Sequence, residues 1–177
     1  MTKTKIAAVI PARMSSSRYP GKPLIEIRGL PMIEHVRRRT LMCDGFSDVV
    51  VATCDLEIFD SVKKFGGEVI MTSPDHIMGS DRVAEVANLL DCTHVVNVQG
   101  DEILTLPQDL SLMIKAIKDY PSFPYWCSTA IVNNKNELSD TNIVKCVVTK
   151  SDKVIYCSRS ISKLYFAEDF EPIRKLL

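Results

Sequence analysis

The chain has 177 residues, of which 46% are apolar and 25% charged, enough for one domain with a proper core and ordinary for a soluble globular protein. Its 22 Lys and Arg offset 22 Asp and Glu, so no basic field points to nucleic acid. No stretch approaches the ~20 apolar residues of a membrane span; the apolar run after Lys5 is too short for a signal peptide; and the six cysteines show neither a C-x-x-C pair nor a Cys/His metal spacing, which fits reduced thiols in a cytoplasmic protein.

Ile6 to Ile10 reads as a buried strand, and it runs into the segment "IPARMSSSRYPGKPL", Ile10 to Leu24. That segment carries Arg13, Ser15, Ser16, Ser17, Arg18 and Lys22 among three Pro and one Gly, too many breakers for a helix. Pro31 stands at the expected first position of a helix whose apolar face is Met32, Ile33, Val36 and Thr40. Val49 to Thr53 is a β-branched run and hence a strand. Asp55 is placed to cap the next helix, with Ile58, Phe59, Val62 and Phe65 on its apolar face and Gly66-Gly67 at its end. Val69 to Met71 is a third strand. Val83, Val86, Ala87 and Leu90 trace a further helix, Val95 to Val98 a fourth strand, and Pro107 opens a helix bearing Leu110, Met113, Ile114 and Ile117.

Strands alternating with amphipathic helices imply βαβ units and a mainly parallel sheet covered on both faces, an α/β fold. Beyond Tyr120 the pattern changes: Trp126 to Val132, Ile143 to Thr149 and Lys153 to Cys157 read as strands, the last two joined by a hairpin turn at Lys150-Ser151-Asp152. With no repeat, linker or low-complexity tract, a single domain spanning 1–177 is expected, divided into a βαβ part (1–120) and a later part (121–177).

In an open parallel sheet, ligands bind beyond the carboxyl ends of the strands. Two loops occupy such positions. The first is the cationic, hydroxyl-rich segment after the first strand, suited to phosphate oxygens. The second is "NVQGDE", Asn97 to Glu102, after the fourth strand, whose Asp101 and Glu102 suit Mg²⁺. Together they point to a metal-bound nucleoside triphosphate. Neither a G-x-x-x-x-G-K-[ST] loop nor a G-x-G-x-x-G fingerprint is present.

"IPARMSSSRYPGKPL", "GLPMIEHV", "VVVATCD", "FGGEVIMTSPDH", "GSDRVAEV" and "VVNVQGDE" follow one another in this order. Together they resemble the 3-deoxy-manno-octulosonate (Kdo) cytidylyltransferases, the CMP-Kdo synthetases, over roughly Ile6 to Arg159. The resemblance implies a Rossmann-like three-layer nucleotidyltransferase fold, with 1–120 binding the nucleotide and 121–177 the remnant of a sugar-binding and dimerisation part. It implies a cytoplasmic homodimer that transfers CMP from CTP to the anomeric hydroxyl of a 2-keto-3-deoxy sugar acid, releases pyrophosphate and activates a lipopolysaccharide precursor. By motif, Arg13, Ser16 and Lys22 would hold the triphosphate, Arg82 and Gln99 would line the nucleotide site, and Asp101 would bind Mg²⁺; Lys22 and Asp101 would be the catalytic pair.

The chain departs from the family pattern at Cys54, at Ile103 where a Pro is usual, and at Met78 where a small polar residue is usual, so that Met78 either fills a core gap or reshapes the base pocket. Family members continue well beyond "YCSR", Tyr156 to Arg159, with a His, a Tyr and a second metal-binding Asp; Asp169 lies in another context and takes no such role here. The C-terminal part is therefore expected to be shortened, and the alternatives are a non-catalytic nucleotide-binding protein or a related synthetase with another acceptor. The apolar residues Leu164, Tyr165, Phe166, Phe170, Ile173, Leu176 and Leu177 are expected to fold back as a helix over the sheet edge or to mediate association.

Overall fold

In the computed structural model, which describes residues 4–15 and 19–160 together with the backbone of 173–176, the first apolar run is strand β1 (Ile6–Pro11), buried at every residue. A 3₁₀ turn (Lys22–Leu24) follows, then a two-stranded antiparallel ribbon of β2 (Glu26–Ile27) and β3 (Leu30–Pro31). Arg28 and Gly29, both at positive φ (51° and 80°), form its two-residue turn, as the twist of a tight hairpin requires. Next come helix α1 (Met32–Leu41), β4 (Asp48–Thr53), α2 (Leu56–Lys64), β5 (Glu68–Met71), α3 (Gly79–Ala87), β6 (His94–Asn97) and α4 (Pro107–Asp119).

β5, β4, β1 and β6 lie side by side in that order, all parallel, with Ala8 opposite Val49 and Val9 opposite Asn97. Two successive crossovers through α1 and α2 carry the chain outward from β1 to β5. The next, through α3, returns it to β6 on the far side of β1. Right-handed crossovers place α1 and α2 on one face and α3 on the other. On the α3 face Val9, Val50 and Ala52 pack with Val83 and Val86. Because strand side chains alternate, Ala8, Ile10 and Val51 serve the opposite face. The strand order thus reverses between β1 and β6, and the carboxyl ends of these two strands border a natural crevice.

Local departures from the sequence expectations have tertiary causes. Pro31 precedes α1 as the last residue of β3 instead of standing inside the helix, and Leu90 lies beyond α3. Asp55 stands at the start of α2, yet its side chain does not cap that helix.

Residues Met1–Phe123 and Pro124–Leu177 form two compact units. In the second, β7 (Thr129–Ile131), α5 (Lys135–Ser139), β8 (Lys145–Val148), β9 (Val154–Ser158) and β10 (Ile173–Leu176) build an antiparallel sheet ordered β7-β10-β8-β9. The hairpin expected at Lys150-Ser151-Asp152 joins β8 to β9. The helix expected for the final residues is replaced at Ile173–Leu176 by a strand between β7 and β8; Leu164, Tyr165, Phe166, Phe170 and Leu177 lie outside the described residues.

Helix α1 carries a buried ionic cluster. Glu34, 1% exposed, accepts from Arg37 Nε and Nη2 at 2.7 and 2.8 Å and from Arg38 Nε at 2.6 Å. Arg37 also donates to the carbonyl of Phe65 at 3.1 Å, tying α1 to the turn after α2. Gly67 is required beside it: a Cβ there would stand 2.6 Å from Val62 Cγ1 and 2.9 Å from Arg37 Cδ. Burial pushes the Glu34 carboxyl up, but the two guanidiniums outweigh it and hold it below its usual value of 4.5. Its stabilising contribution is therefore full above that value and is lost as pH falls through the lowered folded-state value. Replacing Glu34 with Ala strands the buried Arg37 charge, and urea denaturation should show a loss of about 3–5 kcal/mol. A loss below about 1 kcal/mol, the size of an exposed pair, would contradict a buried cluster.

Candidate functional site

The crevice at the ends of β1 and β6 holds a cavity of about 240 Å³. Of the residues singled out from the sequence, Arg13, Lys22, Arg82, Gln99 and Asp101 all line it. Ser16 lies outside the described residues.

The first wall is the loop after β1. Ala12 N–H donates to the carbonyl of Ala52 at 2.9 Å, extending the β1–β4 pairing by one step. Met14 N–H then donates to Asp55 Oδ2 at 2.8 Å. The Asp55 carboxylate thus anchors the loop after β1 rather than its own helix. Gly21, at φ +74°, turns the chain back so that its N–H reaches the Met14 carbonyl at 2.9 Å, and the 3₁₀ turn it starts presents Lys22 to the cavity. Arg13 bridges to the segment before α3, donating to the Ile77 carbonyl at 2.9 Å.

The second wall is the loop after β6. Val98 N–H continues the ladder to the Val9 carbonyl at 3.0 Å, and a turn closes with Glu102 N–H donating to the Gln99 carbonyl at 3.1 Å. Gly100 sits where the two walls touch: a Cβ there would lie 2.6 Å from the Pro11 carbonyl oxygen and 3.3 Å from Ile33 Cδ1. Across the mouth Lys22 Nζ donates to Asp101 Oδ2 at 2.7 Å, with side chains 36% and 51% exposed. Gln99 Nε2 donates to Asn97 Oδ1 at 2.9 Å.

The third wall is the start of α3. Gly79 opens the helix at the cavity, where the positive end of the helix dipole favours an anion; Met78 N–H, just before it, already donates to Asp81 Oδ2 at 3.1 Å. Arg82, 2% exposed, is held from behind by the Thr72 hydroxyl and the Ser73 carbonyl, so its charge is fixed in the wall instead of being swept through solvent. Glu85 supports the same segment, accepting from Ser73 N–H at 3.0 Å and pairing with His76 Nε2 at 2.5 Å. The Ser73 bond, then His76 and the Arg82 charge, keep its carboxyl below the usual 4.5 despite some burial. Met78, 63% exposed, lines the cavity and so does not fill a core gap. Cys54 is half-buried, its thiol 3.7 Å from Asp55 Oδ2.

Sequence reasoning did not identify Thr72, Ser73 and Glu85 as the supports of Arg82, nor Asp55 as the anchor of Met14. These contacts join residues 9 to 41 positions apart, and no local spacing signals them. Three cationic groups against one lining carboxylate give the cavity a net positive character suited to a polyanion. Replacing Gly100 with Ala should force the Asp101 turn off the end of β1. The expected cost is about 1–3 kcal/mol in thermal or chemical denaturation; unchanged stability would mean that the two loops do not meet as described.

A cytidylyltransferase family pattern matches residues 7–176. The 3-deoxy-manno-octulosonate cytidylyltransferase of Syntrophus aciditrophicus is 40% identical over 172 residues, which is 96% of this chain and 69% of that enzyme. The enzyme of the same name from Escherichia coli is 40% identical over 157 residues, 89% of this chain and 63% of its own length. The chain thus spans only about two thirds of such relatives. Among solved structures, CMP:2-keto-3-deoxy-manno-octonic acid synthetase complexed with CTP superposes with a TM-score of 0.91 at 36% identity, covering 98% of this chain and 72% of that one. The parallel sheet and its helices are those of the nucleotidyltransferase fold.

Proposed function

The chain belongs to the 3-deoxy-manno-octulosonate cytidylyltransferase family, and from that premise we propose that it binds CTP in the crevice between β1 and β6 and transfers CMP to the anomeric hydroxyl of a Kdo-type sugar acid, releasing pyrophosphate. The observation that carries the reading is the Lys22–Asp101 pair, 2.7 Å apart at the mouth of a cavity otherwise walled by Arg13, Arg82, Gln99 and the N-terminus of α3. An exposed pair of this kind contributes at most about 1 kcal/mol to stability. Its value lies in poising a cation and a carboxylate at one point.

Each side chain then has a role. When the triphosphate enters, Lys22 exchanges its carboxylate partner for phosphate oxygens, and Arg13 adds a second cation from the same loop. Gly79 and its neighbours offer backbone N–H groups, and Arg82, locked by Thr72 and Ser73, keeps its charge fixed with little reorganisation. Gln99 offers an amide to the nucleotide. The sugar hydroxyl attacks the α-phosphorus and gives up its proton to solvent, the bond from that phosphorus to the leaving phosphate oxygen breaks, and Lys22 and Arg13 offset the charge that develops on pyrophosphate.

The donor set fits Mg²⁺. Asp101 supplies one half-exposed carboxylate with a second oxygen beside the one bound by Lys22, and among the described residues no three carboxylate, His or Cys side chains converge into a protein-only cage. One carboxylate completed by substrate phosphates is the arrangement this ion favours. When bound it would neutralise phosphate charge and polarise the reacting phosphorus. A homodimer in the cytoplasm belongs with this reading; no helix among the described residues is long and apolar enough to cross a membrane.

The test is pyrophosphate release from CTP with Kdo, run beside calorimetry with CTP. Release with Kdo is expected. CTP binding without release would leave a nucleotide-binding protein, and release only with another 2-keto acid would change the acceptor. Lys22→Ala should weaken CTP binding by about 1.5–3 kcal/mol, roughly 10- to 150-fold, because a charged donor to phosphate is lost; unchanged affinity in the folded variant would refute the cradle. Asp101→Asn should keep the fold and sharply lower turnover. Wild-type turnover and Mg²⁺ dependence in that variant would move the metal to another group, Glu102 being next.

A further inference from the structure

The second unit holds three thiols that the nucleotide reading does not use. Cys146 in β8 and Cys157 in β9 are directly opposed across the antiparallel ladder. Directly opposed residues have Cβ atoms about 4.5–5.5 Å apart, at the upper edge of the roughly 3.5–4.5 Å that a disulfide spans. The Cys157 thiol donates to Cys146 Sγ at 3.3 Å, so the two sulfurs already face each other. Exposure separates their roles: Cys157 is open to solvent, whereas Cys146 is buried. Burial, and then the neighbouring Cys157, push the Cys146 thiol up to about 12, which leaves it a poor first nucleophile. Cys127, exposed, is hydrogen-bonded to Cys146 and close enough to Cys157 for their charges to interact, a third thiol in the group. Among the described residues no three His, Cys, Asp or Glu side chains are grouped so as to hold a metal ion.

We propose that Cys146 and Cys157 are a thiol–disulfide exchange site that closes reversibly into an intramolecular disulfide on reaction with a low-molecular-weight disulfide such as oxidised glutathione. The Cys157 thiolate attacks one sulfur of the small disulfide; a mixed disulfide forms, and one small thiol leaves carrying the proton that Cys157 released. Cys146 Sγ then attacks Cys157 Sγ, the mixed bond breaks, and the second small thiol departs with the Cys146 proton. Two protein thiols are oxidised and one small disulfide is reduced to two thiols. The new bond would staple β8 to β9 between two groups that organise this end of the sheet. Lys145, 1% exposed, donates to the carbonyls of Asp140 and Arg159. Arg159 in turn donates to the carbonyls of Thr141 and Asn142, at 3.3 and 2.8 Å. The inference is independent of the nucleotide site and stands or falls separately from it.

The test equilibrates the whole reduced chain with glutathione redox buffers, blocks remaining thiols by alkylation, and maps bonds by mass spectrometry after trypsin. Trypsin separates the two cysteines into peptides 146–150 and 154–159. The expected product has lost two hydrogens and links these two peptides, and dithiothreitol reverses it. Cys127→Ser should leave closure unchanged. Cys146→Ala should stop at a glutathione adduct on Cys157, with the intramolecular product reduced at least about tenfold. Cys157→Ser, on the exposed side, should suppress both products at this pair and guards against a folding defect in the Cys146 variant. A wild-type protein that ends as a stable glutathione adduct, or that joins Cys127 to either partner in place of the 146–157 link, would overturn the proposal.

Discussion

Gly100 and the end of β1 approach so closely that a single added carbon would sit 2.6 Å from the Pro11 carbonyl oxygen. The rest of the site depends on that approach. It joins the loop that leaves the central strand to the loop that leaves its neighbour, and so sets the distance between Lys22 and Asp101. It is possible only because β1 and β6 are adjacent and parallel while the chain between them has gone out through β4 and β5 and returned. In a sheet wound in one direction only, successive connections would leave on one face and no reversal of strand order would open a crevice at this edge.

Around this junction the charges are fixed to different degrees. Arg82 is buried and tied to Thr72 and Ser73, and the Thr72–His76 segment is itself pinned by Glu85. Lys22 and Asp101 are half-exposed and held chiefly by each other. Arg13 is exposed and leans on one carbonyl. The arrangement suits a site that must admit a highly charged ligand: a rigid cation in the wall defines the binding geometry, while the pair at the mouth can exchange partners without disturbing the core. The Glu34 cluster plays the contrasting part, a closed set of charges that ties α1 to the turn before β5.

The alternation of strands and helices through residue 120 was legible because each element carries its own mark: a continuous β-branched run in β4, a 3.6-residue period in α1 and α4. The placement of Arg13, Lys22, Gln99 and Asp101 in one cavity was legible too, since parallel strands aim their following loops at one edge, whereas Arg82, inside α3, was named only through the family resemblance. Elements too short or too polar to show a period were missed: the β2–β3 ribbon, where each strand has two residues, and α5, a five-residue polar turn capped by Asn134. Ile173–Leu176 was read as part of a helix or an association surface, and not as a strand, because its pairing with β7 and β8 is decided by partners 26 to 47 positions away. Asp55 looked like a helix cap for the same reason, its oxygen being claimed by Met14 across 41 positions.

The central claim, that the nucleotide lies where the β1 and β6 loops meet, is tested most directly by amide hydrogen exchange of the whole chain with and without CTP. The account predicts protection concentrated in three segments, residues 12–24, 78–82 and 97–102, with the antiparallel sheet of the second unit unchanged. CTP binding accompanied by protection confined to other segments would contradict it.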